Sequence, residues 1–436
     1  MTAGTPLVER DADVVVIGAG IVGSAAAYSL AKRGVRVVVV ERGRVAGEQS
    51  RKNWGFVRQQ GRDPLEVPLT MEANRIWQGL ERELGADVEW TQGGNLALAV
   101  NEPRMALLEQ WLPIAREFGL DTRLLRGREL QSVIPGLGGD WAGGLYTPAD
   151  GHADPVKATE ALARGAVAHG AVLHLDCAVQ GVTTHAGAVS GVVTERGEIN
   201  TPWVVCAAGA WSSRLARRLG LSLPQRWVRG TVARTTAAPA ITPCAVWGPG
   251  VAFRQRRDGS FNIAAGGALD HDVTLESLHQ LRFFLPNVWK NKAMFRFHVG
   301  RPLVRSLLAA MPGSAARRAP LVWDRGIDPV ANETKVQRGL AELQRVLPSL
   351  PRLGIAERWA GYIDATPDLI PVLGPVARPR GFVFATGFSG HGFAMGPIAG
   401  RLVSELIVDG KTSLDISGFR FARFAEGAMA RPRNVL

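Results

Sequence analysis

The segment "DVVVIGAGIVGSAAAYSLAKRGVRVVVVERG", residues 13–43, decides the fold. Val14 to Ile17 make a short β-branched run of the kind that forms a buried strand. It enters Gly18-Ala19-Gly20-Ile21-Val22-Gly23 without a linker, and small residues at helical spacing follow to Arg33. Gly34 closes the helix, and a second apolar run from Val35 to Val40 ends on Glu41. A lone Gly-x-Gly-x-x-Gly is a weak signal. Set between strand and helix, with an acid 18 residues beyond the last glycine, it is the turn of a dinucleotide site. Gly18 permits the tight turn, Gly20 lets backbone N–H groups approach a pyrophosphate, and Gly23 lets helix and strand pack closely. The helix N-terminus, at Ile21 and Val22, adds partial positive charge for the phosphates. Glu41, with Arg42 next to it, is placed to accept the ribose hydroxyls.

Outward from this segment the helix–strand rhythm breaks off and then returns. Past residue 64, "PLEVPLTMEANRIWQGLERELG" carries Leu69, Ala73, Ile76, Leu80 and Leu84 at helical spacing. "GGNLALAV" (93–100) reads as a strand and "MALLEQWLPIAREFG" (105–119) as a helix. At 155 the rhythm resumes with a helix in "PVKATEALARGAVAHG", a strand in "AVLHLDCAV" and the hairpin "AVSGVVTERGEI". The strand "VVCAAGAW" (204–211) ends in Ala207-Ala208-Gly209, which leaves bare backbone beside something large. A helix is expected around 212–219, and strands near 227–235 and 251–265. After a long interruption, 270–350, "GFVFATGFSGHGFAMGPIAGRLVSELIVDG" reads as strand, loop and helix. Its loop holds four glycines within 387–396, and the helix is expected to start near Gly396-Pro397, since proline suits a first turn.

A chain of 436 residues suggests two domains. Apolar residues at 46% and charged residues at 21% are those of a globular protein with a sizeable core. The net charge of +12 comes from Arg, 44 against 7 Lys, and acids and bases mix along the whole length. Such a dispersed excess bears on solubility and weak anion attraction, and argues against a nucleic-acid surface. Cys177, Cys206 and Cys244 are too few for a disulfide framework and lack metal-ligand spacing, so no metal is expected. No run of 18 apolar residues occurs, and the polar start "MTAGTPLVERDAD" is neither signal nor transit peptide in character. These features lead us to expect a cytoplasmic protein.

Four motifs in order, the glycine turn with Glu41, "VVCAAGAW", "ERWAGYIDATPDLIPVLG" (357–374) and "GFSGHGF", resemble the glycine oxidase/D-amino acid oxidase family of FAD enzymes. The resemblance runs from about 12 to 424. The C-terminal motifs are similar to sarcosine oxidases, and 160–260 is similar in layout to bacterial L-amino acid deaminases. It implies an α/β fold in which a Rossmann-like FAD-binding domain of the GR2 type, 10–64, 150–222 and 357–425, is interleaved with an α+β substrate domain, 65–149 and 223–356, built on an antiparallel sheet. It further implies that Gly18, Gly20, Gly23 and Glu41 bind the ADP half, that backbone at Val179 meets adenine, and that Ala208, Gly209 and Trp211 lie near the ribityl chain and phosphates. Ser50, Arg51 and Asn53 would contact cofactor. Gly361, Gly390, His391, Gly392, Phe393 and the following Ala394 would lie along the isoalloxazine. Arg58 matches an Arg that in sarcosine oxidases holds the substrate carboxylate.

Departures from the pattern bear on mechanism. Sarcosine oxidases place Lys where this chain has Ala394, and a second Lys, tied to oxygen attack, where it has Asn262. The deaminases' Arg on that strand is replaced by glycine. No Cys or His lies within 44–60 and no Cys follows 244, so non-covalent FAD is expected. The implied activity is oxidation of an amino acid or N-alkyl amine at its C–N bond, by a dehydrogenase rather than an oxidase, giving an imine that hydrolyses. The electron acceptor would be a quinone, an electron-transfer chain or oxygen. Such chemistry needs a pinned carboxylate, for which the planar fork of Arg is suited; Arg58 comes first, with Arg254 or Arg256 on "VAFRQRRDG" second. His391, between two glycines, has little to pack against and is a further catalytic candidate. A 2-hydroxy-acid dehydrogenase, a tRNA-modifying flavoprotein and a flavin subunit of a hetero-oligomer are the alternatives. The segment "LRFFLPNVWKNKAMFRFHVGRPLVRSLL" (281–308) mixes aromatics and cations. It reads as amphipathic helices over the substrate pocket, or as a peripheral contact with the inner membrane face.

Overall fold

Val14–Ile17 and Val37–Val40 are apolar at every position because their sheet is covered on both faces. Val14, Val16, Val37 and Val39 enter one core cluster, and Val15, Ile17, Val38 and Val40 enter another on the opposite side. The computed structural model describes residues 9–267, 269–290, 295–314, 325 and 328–430. The two strands sit centrally in a six-stranded sheet. Its order is Val372–Pro375, Phe382–Thr386, Trp203–Cys206, Val14–Ile17, Val37–Val40, Val172–His174. Every neighbouring pair is parallel except the first, which is antiparallel. Strands from the start, middle and end of the chain therefore meet in one sheet, and the α/β class expected from the sequence is borne out.

The helix Ile21–Ala31 is buried at ten of its eleven positions. It must be thin to fit, and its Ala25-Ala26-Ala27 run makes it so. Helix Gly392–Asp409 crosses it at Gly400, where a Cβ would fall 2.4 Å from the Ala25 carbonyl carbon. This helix starts at Gly392, earlier than the Pro397 start expected from the sequence; Pro397 lies inside it. The expected helix over 105–119 is two helices, Glu102–Glu109 and Leu112–Glu117. Pro113 forces the break, because its ring would clash with the carbonyl four residues earlier, that of Glu109. The expected strand 171–179 is likewise divided. Val172–His174 joins the six-stranded sheet, Asp176 takes a positive φ of 48°, and Val179–His185 opens a three-stranded meander.

A second sheet of ten strands carries most of the remaining chain. It is antiparallel apart from two parallel pairs, Ala245–Trp247 with Asn95–Ala99 and Leu269–Asp272 with Phe295–His298. Strand Ile355–Ala365 pairs with Arg226–Thr235 along its length and so lies in this sheet, although the sequence reading gave residues from 357 onward to the cofactor-binding part. One face of the sheet, with Leu96, Val246, Phe253, Phe261 and Ile263, packs on helix Glu333–Val346 through Val336, Leu343 and Val346. The opposite face looks toward residues 49–60. Segment 281–308 is not a pair of helices alone. Helix Leu281–Lys290 is followed by edge strand Phe295–His298 and then by helix Arg301–Ala310, which buries none of its residues.

Candidate functional site

Three chain segments with little side chain converge on one cleft. At Gly18 (φ 102°) a Cβ would stand 2.6 Å from the Ala207 carbonyl oxygen; at Gly23 it would stand 1.9 Å from that of Gly18. The glycine turn and the strand end Ala207-Ala208-Gly209 therefore touch backbone to backbone, as only small residues allow. The cleft has about 1190 Å³ of free space, part of it open to solvent. Gly18, Gly20, Ile21 and Val22 line it at the N-terminus of helix Ile21–Ala31, and Gly390, Gly392 and Phe393 line it at the N-terminus of helix Gly392–Asp409. Two helix N-termini thus face one cavity, each favouring electron-rich groups.

Glu41 lines the cleft at the end of the second strand. Ala19 and Gly43 donate backbone N–H bonds, both 2.8 Å, to its two carboxylate oxygens. Burial pushes its carboxyl up against those two donors. Ser50 takes the N–H of Ile21 at 2.8 Å, so its hydroxyl hydrogen is free to point onward to a phosphate. Arg42 lies 3.7 Å from the centroid of the Trp211 ring and pairs with Glu48 at 2.5 Å. Asn53, Val179, Ala208 and Gly209 also line the cavity.

Other sequence-predicted residues stand off the cleft. Gly23 packs under the turn. Arg51 belongs to the short helix Gln49–Lys52 and does not line the cavity. Gly361 is covered by that same helix: a Cβ there would fall 2.2 Å from Gln49 Oε1 and 2.9 Å from Lys52 Cβ. Ala394 turns its carbonyl to the indole N–H of Trp77 at 2.8 Å. Among residues that sequence reasoning missed, Gln49 lines the cleft with a buried Oε1 that has no hydrogen-bond partner. Asp364 also lines it, accepting the Gly387 N–H at 2.7 Å, and burial pushes its carboxyl up to about 6. An acid in the otherwise apolar "AGYIDA" was the signal for Asp364; Gln49 carried none.

These features suit FAD. The cleft offers a glycine turn at a helix start, bare backbone at Ala207-Ala208-Gly209 packed so close to that turn that a Cβ on Gly18 would clash, and an acid fixed at the second strand.

Residues 49–60 separate the cleft from the polar face of the large sheet. Cross-strand partners share a face, and Glu357, Arg234, Asn262 and Arg254 follow one another in a single row. Arg254 is wholly buried. Its Nε donates to the Trp54 carbonyl at 2.6 Å, while Nη1 and Nη2 have no hydrogen-bond partner. Burial, and next the charge of Arg256, lower it to about 10. Arg256 itself donates to Asp154 at 2.7 Å and is thereby committed to holding the start of helix Pro155–Ala168. Arg58 is buried, donates to the Gln60 carbonyl at 3.2 Å and lies 5.1 Å from the Trp247 ring centroid. Burial, then Arg62, lower it to about 9. His391 does not line the cleft between its two glycines; its Nδ1 meets Glu66 Oε1 at 2.9 Å. Among the described residues no group of acids, histidines and cysteines could hold a metal.

Residues 13–406 match the model of the family described as FAD dependent oxidoreductase. The mitochondrial sarcosine dehydrogenase of Homo sapiens is 28% identical over 97% of this chain and 42% of its own length. The chain thus spans about two fifths of that relative. Glycine oxidase of Geobacillus kaustophilus is 25% identical over 94% of this chain and 97% of its own. The L-amino acid deaminase of Proteus myxofaciens, solved in complex with anthranilate, superposes with a TM-score of 0.90 at 27% identity, covering 97% of this chain and 96% of that one.

Proposed function

Because the chain belongs to the FAD dependent oxidoreductase family, we propose that it oxidises the C–N bond of an amino acid or N-alkyl amine that carries a carboxylate. The observation behind this reading is Arg254, a buried guanidinium whose Nη1 and Nη2 lack partners beside the strip that walls the cofactor cleft. A carboxylate matches that fork with two parallel charge-assisted bonds. Arg58, on the same strip, adds a second positive charge, and both act where water is scarce and charge is felt strongly. Bound FAD supplies the acceptor for the two electrons of the C–H bond, so the protein has to orient and desolvate rather than attack. Glu41, Ser50 and the turn Gly18–Gly23 would hold its ADP half. We take the cofactor to be non-covalent, since residues 44–60 contain neither Cys nor His and all three cysteines are buried.

A carboxylate pin serves a 2-hydroxy acid equally well, so the amine is the part to test. Anaerobic mixing of the yellow protein with L-, D- and N-alkyl amino acids, against matched hydroxy acids, should bleach the flavin with amines alone. Bleaching by hydroxy acids alone would replace this reading. Admitting air and then a quinone analogue compares the acceptors; we expect rapid reoxidation by the quinone. For the acceptor we propose a membrane quinone, reached from a cytoplasmic protein docked peripherally at the membrane. In support, nine of the sixteen exposed large apolar side chains among the described residues fall within 278–311.

A further inference from the structure

We propose that His391 Nε2 takes the proton of the substrate ammonium, with Glu66 as the positioning residue that orients the ring; this rests on the amine reading above. Glu66 immediately precedes helix Val67–Leu84, and His391 immediately precedes helix Gly392–Asp409. The two side chains, 325 residues apart in sequence, meet at 2.9 Å with almost no exposure. A neutral imidazole bonded to a carboxylate through Nδ1 must carry its hydrogen there, which leaves the lone pair on Nε2. Gly390 and Gly392, on either side, line the cofactor cleft. The backbone on either side of the ring thus reaches the cleft, and the charges of the buried Arg62 and Arg58 act on the ring itself.

An ammonium cannot be oxidised until its nitrogen recovers a lone pair. One N–H bond breaks and an Nε2–H bond forms, which leaves on the nitrogen the lone pair that C–N oxidation needs; bound FAD would supply the two-electron acceptor. The imidazolium later returns its proton to water. In an amino acid the ammonium sits on the carbon next to the carboxylate, and of the two candidate pins Arg58 is the one whose charge acts on His391. The charged groups facing His391 are Glu66, Arg62 and Arg58, with Asp150 acting on the two arginines. Burial lowers the imidazole below its ordinary value and Arg62 adds to this, while Glu66 opposes both. The same guanidinium charges lower the proton affinity of a bound ammonium, which brings donor and acceptor together. Arg62, whose Nη1 has no hydrogen-bond partner, gives the cluster more positive charge than a simple helix-to-helix latch needs.

The test measures anaerobic flavin reduction against pH in the wild type, His391→Asn and Glu66→Gln, with flavin absorbance reporting that each holds FAD. Wild-type rates should rise through a group below the ordinary imidazole value of about 6.5 and then level. His391→Asn should be slower by about 10²–10³-fold, its rise displaced toward the ammonium's own titration. Glu66→Gln keeps an acceptor for Nδ1–H but removes the charge, so its rise should move to lower pH at a reduced plateau. Nitrogen-15 spectra of histidine-labelled protein without substrate give a readout independent of turnover. The signal missing from His391→Asn should be a neutral Nδ1–H tautomer. A pH limb unchanged in His391→Asn, or an Nε2–H tautomer, overturns the dyad while the amine reading stands. A wild-type flavin that no amine bleaches overturns both.

Discussion

Arg254 on the large sheet and Arg58 on the strip that faces it are both buried, yet they differ in what the fold has already given them. Arg58 donates to the Gln60 carbonyl and lies against Trp247, so its removal leaves an acceptor and an aromatic face exposed to nothing. Arg254 uses only Nε, on Trp54, and its two terminal nitrogens are unmatched. An unmatched buried donor is unfavourable for folding, and strain of this kind is retained where it serves a ligand. Arg254→Met should therefore raise the melting temperature of the substrate-free protein while raising KM for carboxylate substrates by roughly 10–100-fold, the worth of a charged hydrogen bond or two. Arg58→Met should lower the melting temperature. Thermal melts with and without substrate, next to steady-state kinetics, check both. A lowered melting temperature and unchanged KM in Arg254→Met would return the role to Arg58.

Among the elements, the crossing of helices Ile21–Ala31 and Gly392–Asp409 governs the cleft, because each presents its N-terminus to it. Gly400 sets their separation. Gly400→Ala places a methyl group 2.4 Å from the Ala25 backbone, and neither helix can yield without moving a cleft wall. It should destabilise the protein by about 1–3 kcal/mol, the usual range for overpacking, and weaken FAD binding as well, measured by denaturant melts and flavin titration. The first of these helices was legible in the sequence because its signals are contiguous: strand, glycines, small residues and Glu41 fall within 13–43. The second was legible in kind but not in place, since Pro397 imitates a first turn that Gly392 in fact supplies. Glu66 and His391 could not be joined from the sequence, because a glutamate before one helix and a histidine before another carry no mutual signal. The row from Glu357 to Arg254 was hidden for a related reason: it exists only through strand register.

At the scale of the molecule, the described apolar surface is unevenly distributed, and its concentration in 278–311 bears on where the enzyme works. Helix Arg301–Ala310 presents Val304, Leu307 and Leu308 to solvent, spaced on one helical face, with Met311 beyond its end. Phe297 and Val299 stand nearby in sequence, at 49% and 77% exposure. Arg282, Arg296, Arg301 and Arg305 are exposed in the same segment, and no acidic residue occurs between Glu276 and Asp324. Apolar side chains framed by arginines suit an anionic lipid surface, where each cation near the surface contributes about 1 kcal/mol. No described helix is long and apolar enough to cross a membrane, so the contact would be peripheral. Asp270 anchors this region, accepting from His298 at 2.9 Å and from Lys335 at 2.8 Å. The patch can therefore bear on a surface without the sheet edge coming loose. The protein should sediment with vesicles containing anionic lipid, fail to do so with neutral vesicles, and be released as salt rises. Leu307→Asp with Leu308→Asp should abolish sedimentation yet leave FAD content and reduction of a soluble acceptor unchanged. Equal binding to neutral vesicles, or unaltered sedimentation of the double variant, would remove the membrane from this account and leave the acceptor to be sought in solution.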